Sequence, residues 1–231
     1  MLYDLAFSYR DFGAEIATLS SWHTTATGAE PRSVLELACG PARHGLEFAR
    51  RGAEVVGIDR SGAMCRYAAE LSIGLPNMSI EEADMSAFLL DASFDLAILM
   101  LNSINHVTHP EALHGLFISI SRHLDPGGTF IIEADRESEE VGSAEWSETG
   151  AAGDVTVRWS WTDAHERAEM TGRLDGRDVA IDEVMPMRHW RASEIVEAAR
   201  AAGMEVFGHF GSFGEDTAPA IERSEKLEAD T

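Results

Sequence analysis

Glu36-Leu37-Ala38-Cys39-Gly40-Pro41-Ala42-Arg43-His44-Gly45 is the stretch on which the fold turns. An apolar strand over residues 33–38 runs into a glycine, and a helix over 43–51 starts at once and stops at Gly52. Glycine lets the backbone bend and come close to a ligand, and a helix start offers N–H groups with no partner inside the helix. Nineteen residues past Gly40, Asp59 ends a second strand over 54–58. Ser61 then caps a helix running to about residue 71. An acid in that place accepts hydrogen bonds from both hydroxyls of a ribose. The two strands together predict a nucleoside-type ligand at the carboxyl edge of a sheet.

Working outward, further strands are expected over 78–83, 94–101 and 129–134, with a helix over 110–123 that carries Leu113, Leu116, Phe117 and Ile120 on one face. One or two short helices over 10–26 precede the first strand, with Phe12, Ile16 and Leu19 at helical spacing. Repeated strand–helix units mean a parallel sheet covered on both faces. The expected class is therefore α/β, a Rossmann-like, doubly wound, mostly parallel seven-stranded sheet. After residue 134 the rhythm changes. Val155, Val157, Trp159 and Trp161 alternate with polar residues, the period of a half-buried strand. Strands over 170–174 and 179–187 follow, with Asp175-Gly176 as a turn, so this part is expected to be antiparallel. A helix over 193–202 ending at Gly203 and a last strand over 205–210 return to the core. The division expected is 1–142 for the N-terminal helices and cofactor-binding core, 143–190 for an inserted antiparallel substrate lobe, 191–215 for the last core helix and strand, and 216–231 for a polar tail.

Composition narrows the function. The chain has 231 residues, 40 acids against 18 bases, and a formal net charge of −22. Lys226 is the single lysine. Such a surface repels phosphate backbones and anionic membranes, so nucleic acid and membrane are poor partners. The bland reading of the charge is a solvated surface; the sharper one is a cationic substrate steered in by an acidic rim. Cys39 and Cys65 make no disulfide framework, and no Cys/His cluster has zinc spacing, so no metal is expected. No export signal or membrane span is legible, and a cytoplasmic location is expected. A homodimer is left open.

A dinucleotide site wants G-x-G-x-x-G, whereas here Ala42 takes the middle glycine's place and Arg43 and His44 begin the helix, which argues against NAD. The segment instead resembles motif I of the class I S-adenosylmethionine-dependent methyltransferases, E/D-x-x-x-G-x-G, departing from it at Ala42. An alanine with negative φ is tolerable there. Ala83-Asp84-Met85, Phe94-Asp95-Leu96-Ala97-Ile98 and Leu124-Asp125-Pro126-Gly127-Gly128 resemble later motifs of the same family, in its order. Leu101-Asn102-Ser103-Ile104-Asn105-His106 is similar to the N-S-x-x-H segment of glycine and sarcosine N-methyltransferases, and in layout to the sugar-amine N-methyltransferases.

The resemblance implies a set of roles. S-adenosyl-L-methionine would be the cofactor and S-adenosyl-L-homocysteine the product. Tyr9, Arg10, Glu36, Ala38, Gly40, Asp59, Arg60, Met64, Asp84, Met85 and Leu101 would bind it, with Asp59 on the ribose and Asp84 at the adenine. Glu36 could equally be a buried acid that only holds the loop. His106 would lie near the transferred methyl as proton acceptor or orienting group. Tyr3, Asn102, Asn105, Trp161 and Trp190 would meet the substrate, and Trp146 and Trp159 belong to the same tryptophan-bearing lobe. The implied reaction is methylation of a small molecule, most simply an amine. The alternatives are O- or C-methylation of an aromatic or natural-product substrate, or a protein that holds the nucleoside without turning it over.

Overall fold

The computed structural model describes residues 2–134 and 141–210. The polar tail and the acidic stretch 135–140 lie outside them. Among the described residues, five parallel strands form one sheet in the order β3-β2-β1-β4-β5: β1 (Ser33–Leu37), β2 (Glu54–Asp59), β3 (Met78–Glu82), β4 (Phe94–Leu99) and β5 (Leu124–Ile132). The strand order reverses between β1 and β4, the place where open α/β sheets leave a crevice at their carboxyl ends.

The period-2 alternation sorts the core. Val34, Leu96 and Ile98 face one side and pack with Ile16 and Leu19 of α2 (Phe12–Thr27) and Phe48 and Ala49 of α3 (Arg43–Arg50). Leu35, Leu37, Ala97 and Leu99 face the other, against Leu113, Leu116, Phe117 and Ile120 of α5 (Pro110–His123) and Ala199 of α6 (Ala192–Ala201). A fifth core helix, α4 (Gly62–Leu71), is capped by Ser61, whose side chain accepts the Met64 amide. Gly28 ends α2 and Gly203 follows α6, both at positive φ where glycine carries no penalty.

The second sheet is antiparallel, in the order β6-β7-β8-β9: β6 (Gly142–Gly150), β7 (Gly153–Trp161), β8 (His165–Leu174) and β9 (Arg177–Pro186). Val155, Val157, Ala168, Met170 and Leu174 bury one face of it against Leu2 and Ala6 of α1 (Leu2–Ala6). The five-residue N-terminal helix thus covers the apolar face of this sheet.

Four expectations are corrected. The parallel sheet has five described strands rather than seven. Residues 205–210 form no strand, although the helix before them is as expected. Strand β6 was not foreseen, because Trp146 is its one large apolar residue and no alternation shows. The Leu124–Gly128 turn is absorbed into β5 as a bulge: Phe94 pairs with Leu124 and Leu96 with Thr129, and Gly127 takes φ +85°.

Candidate active site

The bend after β1 is built from three left-handed residues in alternation, Ala38 (φ +47°), Gly40 (φ +50°) and Ala42 (φ +55°). Ala42 is fully buried, precedes α3 and takes a positive φ rather than the negative one at which an alanine is tolerable. An alanine in the left-handed region costs roughly 1–2 kcal/mol, and the surrounding contacts hold it there. Above Gly40 the space is open: an added Cβ would meet nothing within 4 Å. Asp59, at the end of β2, pins this bend. Its Oδ2 accepts the Gly40 amide at 2.8 Å and its Oδ1 accepts the Ser61 amide at 2.8 Å.

Beneath the bend lies a buried ionic chain. Glu36 accepts the Gly45 amide at 2.8 Å through Oε2, and Nδ1 of His44 is 3.4 Å from its Oε1. Nε2 of His44 meets Glu15 at 2.7 Å. Arg10 donates to both oxygens of Glu15, at 2.7 and 2.9 Å, and to Glu133, at 3.2 Å for the shortest contact. Glu133 in turn accepts the Leu101 amide at 2.9 Å. The chain therefore ties the first bend to the turn after β4. Burial alone would lower the pKa of His44, but its bonds to Glu15 and Glu36 outweigh that and push it up to about 9. Burial likewise opposes ionisation of Glu15, and the bonds from His44 and Arg10 overcome it, leaving its pKa below the ordinary value. Arg10 is held above its ordinary value by the same carboxylates, against the pull of burial.

The turn after β4 is strained in the same manner: Leu101 and Asn102 both have φ near +57°. It leads into a short 3-10 helix, Ser103–His106. Nε2 of His106 is 3.3 Å from Oε1 of Glu166 on β8, so the antiparallel sheet meets the segment after β4 at this pair. Glu166 also accepts the indole N–H of Trp159 at 3.0 Å. Tyr3 of α1 stands between the two ends of the crevice. Burial, then the charges of Glu166 and Asp59, raise its pKa, so its phenol stays protonated.

α1 roofs the crevice. Asp4 is paired with the Arg43 guanidinium and accepts the Tyr67 hydroxyl at 2.8 Å. Burial and that bond push the Tyr67 phenol up to about 12. The cleft under Tyr3, Asp4, Phe7, Ala38, Pro41 and Leu101 has a volume of about 30 Å³. A larger hollow of about 580 Å³ lies at the opposite end of the sheet, beside Ser21, Thr24, Pro31 and Ala53, away from the strand ends that carry the chemistry.

The remaining expected residues divide. Ala38, Leu101 and Tyr3 line the cleft, Asp59 holds Gly40, and His106 meets Glu166, whose charge, like that of Asp59, reaches Tyr3. Glu36 is buried with both oxygens engaged, so it shapes the loop from below, and Arg10 is likewise held by two carboxylates. Asp84 is exposed at the end of β3, where Oδ1 accepts the Ser86 amide and hydroxyl, and Met85 packs half-buried beside it. Arg60 is exposed, Met64 half-buried and Tyr9 59% exposed. Asn105 is buried, and its carbonyl accepts the Arg188 amide. Trp161 covers Gly142. Trp190 does not face a substrate: it is 6% exposed in the core, donates to the Val107 carbonyl at 2.7 Å and stacks under Arg188. Sequence reasoning missed Glu166, Asp4 and Glu133. Only their structural neighbours mark them, since each lies far along the chain from its partner. No group of His, Cys, Asp and Glu able to hold a metal occurs among the described residues, and no described helix is long and apolar enough to cross a membrane.

The methyltransferase domain profile matches residues 34–128, the strands and helices that carry the bend, Asp59 and His106. Residues 34–128 are a methyltransferase domain. The chain is similar to dTDP-3-amino-3,4,6-trideoxy-alpha-D-glucopyranose N,N-dimethyltransferase of Streptomyces venezuelae, 28% identical over 134 residues, covering 57% of this chain and 55% of that enzyme. The match thus spans about half the length of that relative. Cypemycin N-terminal methyltransferase of a Streptomyces species is 27% identical over 231 residues, covering 97% of this chain and 91% of that protein. Among solved structures, DesVI of Streptomyces venezuelae shares the fold with a TM-score of 0.78 at 22% identity, covering 90% of each chain. CalS10, an amino pentose methyltransferase from Micromonospora echinaspora solved with S-adenosylmethionine bound, aligns with a TM-score of 0.70 at 21% identity, covering 88% of each chain.

Proposed function

We propose that this chain transfers a methyl group from S-adenosylmethionine to an amine nitrogen of a small molecule. The observation that carries the reading is the Asp59–Gly40 contact at the switch point of the sheet, with Tyr3, His106 and Glu166 placed across the crevice from it. The residues present fit the cofactor. A carboxylate has about four lone-pair directions; Asp59 spends one per oxygen on Gly40 and Ser61 and keeps one on each for the two ribose hydroxyls. The open face of Gly40 admits a ligand against the backbone. Ala38 and Leu101 line the cleft under α1, and in this reading Asp84 and Met85, just past β3, take the adenine, with Arg60 and Met64 as further cofactor contacts.

When bound, S-adenosylmethionine supplies an electrophilic methyl carbon on a good sulfur leaving group. The chain has to hold the acceptor in line with that carbon and free its lone pair. A protonated amine needs only a proton acceptor, and His106 is the group placed for it. The amine is supported by the two relatives just named, one an amino-sugar and one an N-terminal methyltransferase. The antiparallel sheet, residues 142–186, is the acceptor-binding lobe in this reading, with Asn102 and Trp161 as acceptor contacts. A small-molecule acceptor and a cytoplasmic setting belong to the same proposal.

The test is incubation with methyl-labelled S-adenosylmethionine and a panel of nucleotide-linked amino sugars, short peptides with free N-termini, alkylamines and phenols, read by product mass. Label on nitrogen is the expected result. Label only on phenols would assign the site to O-methylation, and tight cofactor binding without any product would leave a binding protein.

A further inference from the structure

Glu166 lies on β8 in the antiparallel sheet, yet its carboxylate meets the other half of the molecule. Oε1 is 3.3 Å from Nε2 of His106, and Oε2 accepts the Trp159 indole N–H at 3.0 Å. Its side chain is 12% exposed and that of His106 27%. Glu166 is thus held by its own sheet on one side and by the helix after β4 on the other. A second observation concerns the far side of the ring: Nδ1 of His106 is buried and has no hydrogen-bond partner among the described residues. A neutral imidazole carries a proton on one nitrogen and a lone pair on the other. A carboxylate against Nε2 selects the tautomer protonated there and leaves the lone pair on Nδ1. A buried acceptor without a donor is an unfavourable arrangement, which an N–H brought by a ligand relieves.

We infer that Glu166 is the positioning residue for His106 in methyl transfer: it fixes the ring in its Nε2–H form, so that Nδ1 receives the proton of the acceptor ammonium, and it faces the imidazolium that results. The inference rests on the proposed amine methylation. In the balanced step the ammonium loses one proton to Nδ1. The freed lone pair forms the carbon–nitrogen bond as the carbon–sulfur bond breaks, with its electron pair going to sulfur, and the imidazolium then returns its proton to solvent. The charged and titratable groups around the pair are few. Tyr3 reaches it from α1, with Asp59 and Arg10 behind that phenol. From the segment after β9, Arg188 gives its amide to Asn105, while its guanidinium is held by Glu194. Tyr3 keeps its proton, so Glu166 is the anion set against His106.

The experiment uses the full-length protein and the best amine from the panel. Glu166→Gln is expected to lower kcat about 100-fold, the scale of general-base catalysis, with KM for S-adenosylmethionine unchanged. The acid limb of the kcat–pH profile should move to lower pH, because the imidazolium loses its anion, and Glu166→Asp should recover part of the rate. Unchanged kcat in the Gln variant, or a loss mirrored by KM for the cofactor, overturns the inference. A second readout is independent of turnover and of the Glu166 variants: ¹⁵N NMR of histidine-labelled wild-type protein, with His106 identified by its loss in His106→Asn. The Nε2–H tautomer supports Glu166 as the positioning residue, and the Nδ1–H tautomer refutes it. If the wild type methylates no amine, the amine reading fails, while the tautomer still decides the role of Glu166.

Discussion

Asp59 reaches back from the end of β2 to hold the Gly40 amide at 2.8 Å, so the acid that would grip a ribose also holds the bend on which the nucleoside would rest. One substitution therefore strikes two elements. Asp59→Ala is expected to weaken S-adenosylmethionine by about 1.5–3 kcal/mol, the range for hydrogen bonds to a charged group. Calorimetric titration checks it, and unchanged affinity would remove the ribose from this carboxylate.

His44 makes stability depend on pH in a definite direction. Its pKa in the folded protein is pushed up to about 9, above the unfolded value near 6.5. A raised pKa contributes stability that is complete below the unfolded value and is lost as pH climbs through the folded one. The wild type should therefore lose on the order of 3 kcal/mol between about pH 6.5 and 9. His44→Gln should flatten that part of the profile. Urea unfolding at half-unit pH steps measures both.

Ala42 is an alanine where the backbone is left-handed and the side chain fully buried. Glycine relieves the strain but enlarges the unfolded ensemble, so Ala42→Gly should leave stability unchanged or raise it by at most ~1 kcal/mol. Ala42→Val adds bulk in the same conformation and should instead cost on the order of 3 kcal/mol, as overpacking and backbone strain combine. Denaturation midpoints of the two variants separate these outcomes.

Asp4 fastens α1 to Arg43 and Tyr67 over a cleft of about 30 Å³, room for about one water. Asp4→Asn should raise the dissociation rate of S-adenosylmethionine about tenfold, equivalent to ~1.4 kcal/mol, with little change in melting temperature. Stopped-flow tryptophan fluorescence reads the rate, and an unchanged rate would show that α1 does not guard the cleft.

The parallel half was legible because its signals are local. Strands buried on both faces read as short apolar runs, Ser61 and Gly52 punctuate helices, and Gly40 and Asp59 lie on successive strands of one unit. The antiparallel half was only partly so: β7 alternates cleanly, whereas β6 is a polar edge strand whose charges suit exposure rather than reveal a strand. Glu166 and Glu133 were illegible for a different reason. Their meaning comes from His106 and Arg10, 60 and 123 positions away along the chain, and no spacing rule joins them. Trp190 was misread because an indole serves a core as readily as a pocket, and only its bond to the Val107 carbonyl decides between them.

Leu2 and Ala6 fasten α1 to the antiparallel sheet while Asp4 fastens it to Arg43 and Tyr67 on α3 and α4 of the parallel half. A fusion partner placed ahead of Leu2 therefore lands on the doorstep of the crevice, at a joint that both halves of the molecule share. Purification handles belong elsewhere on this chain, and sluggish turnover from an amino-terminally tagged sample would report on the handle before it reported on the chemistry.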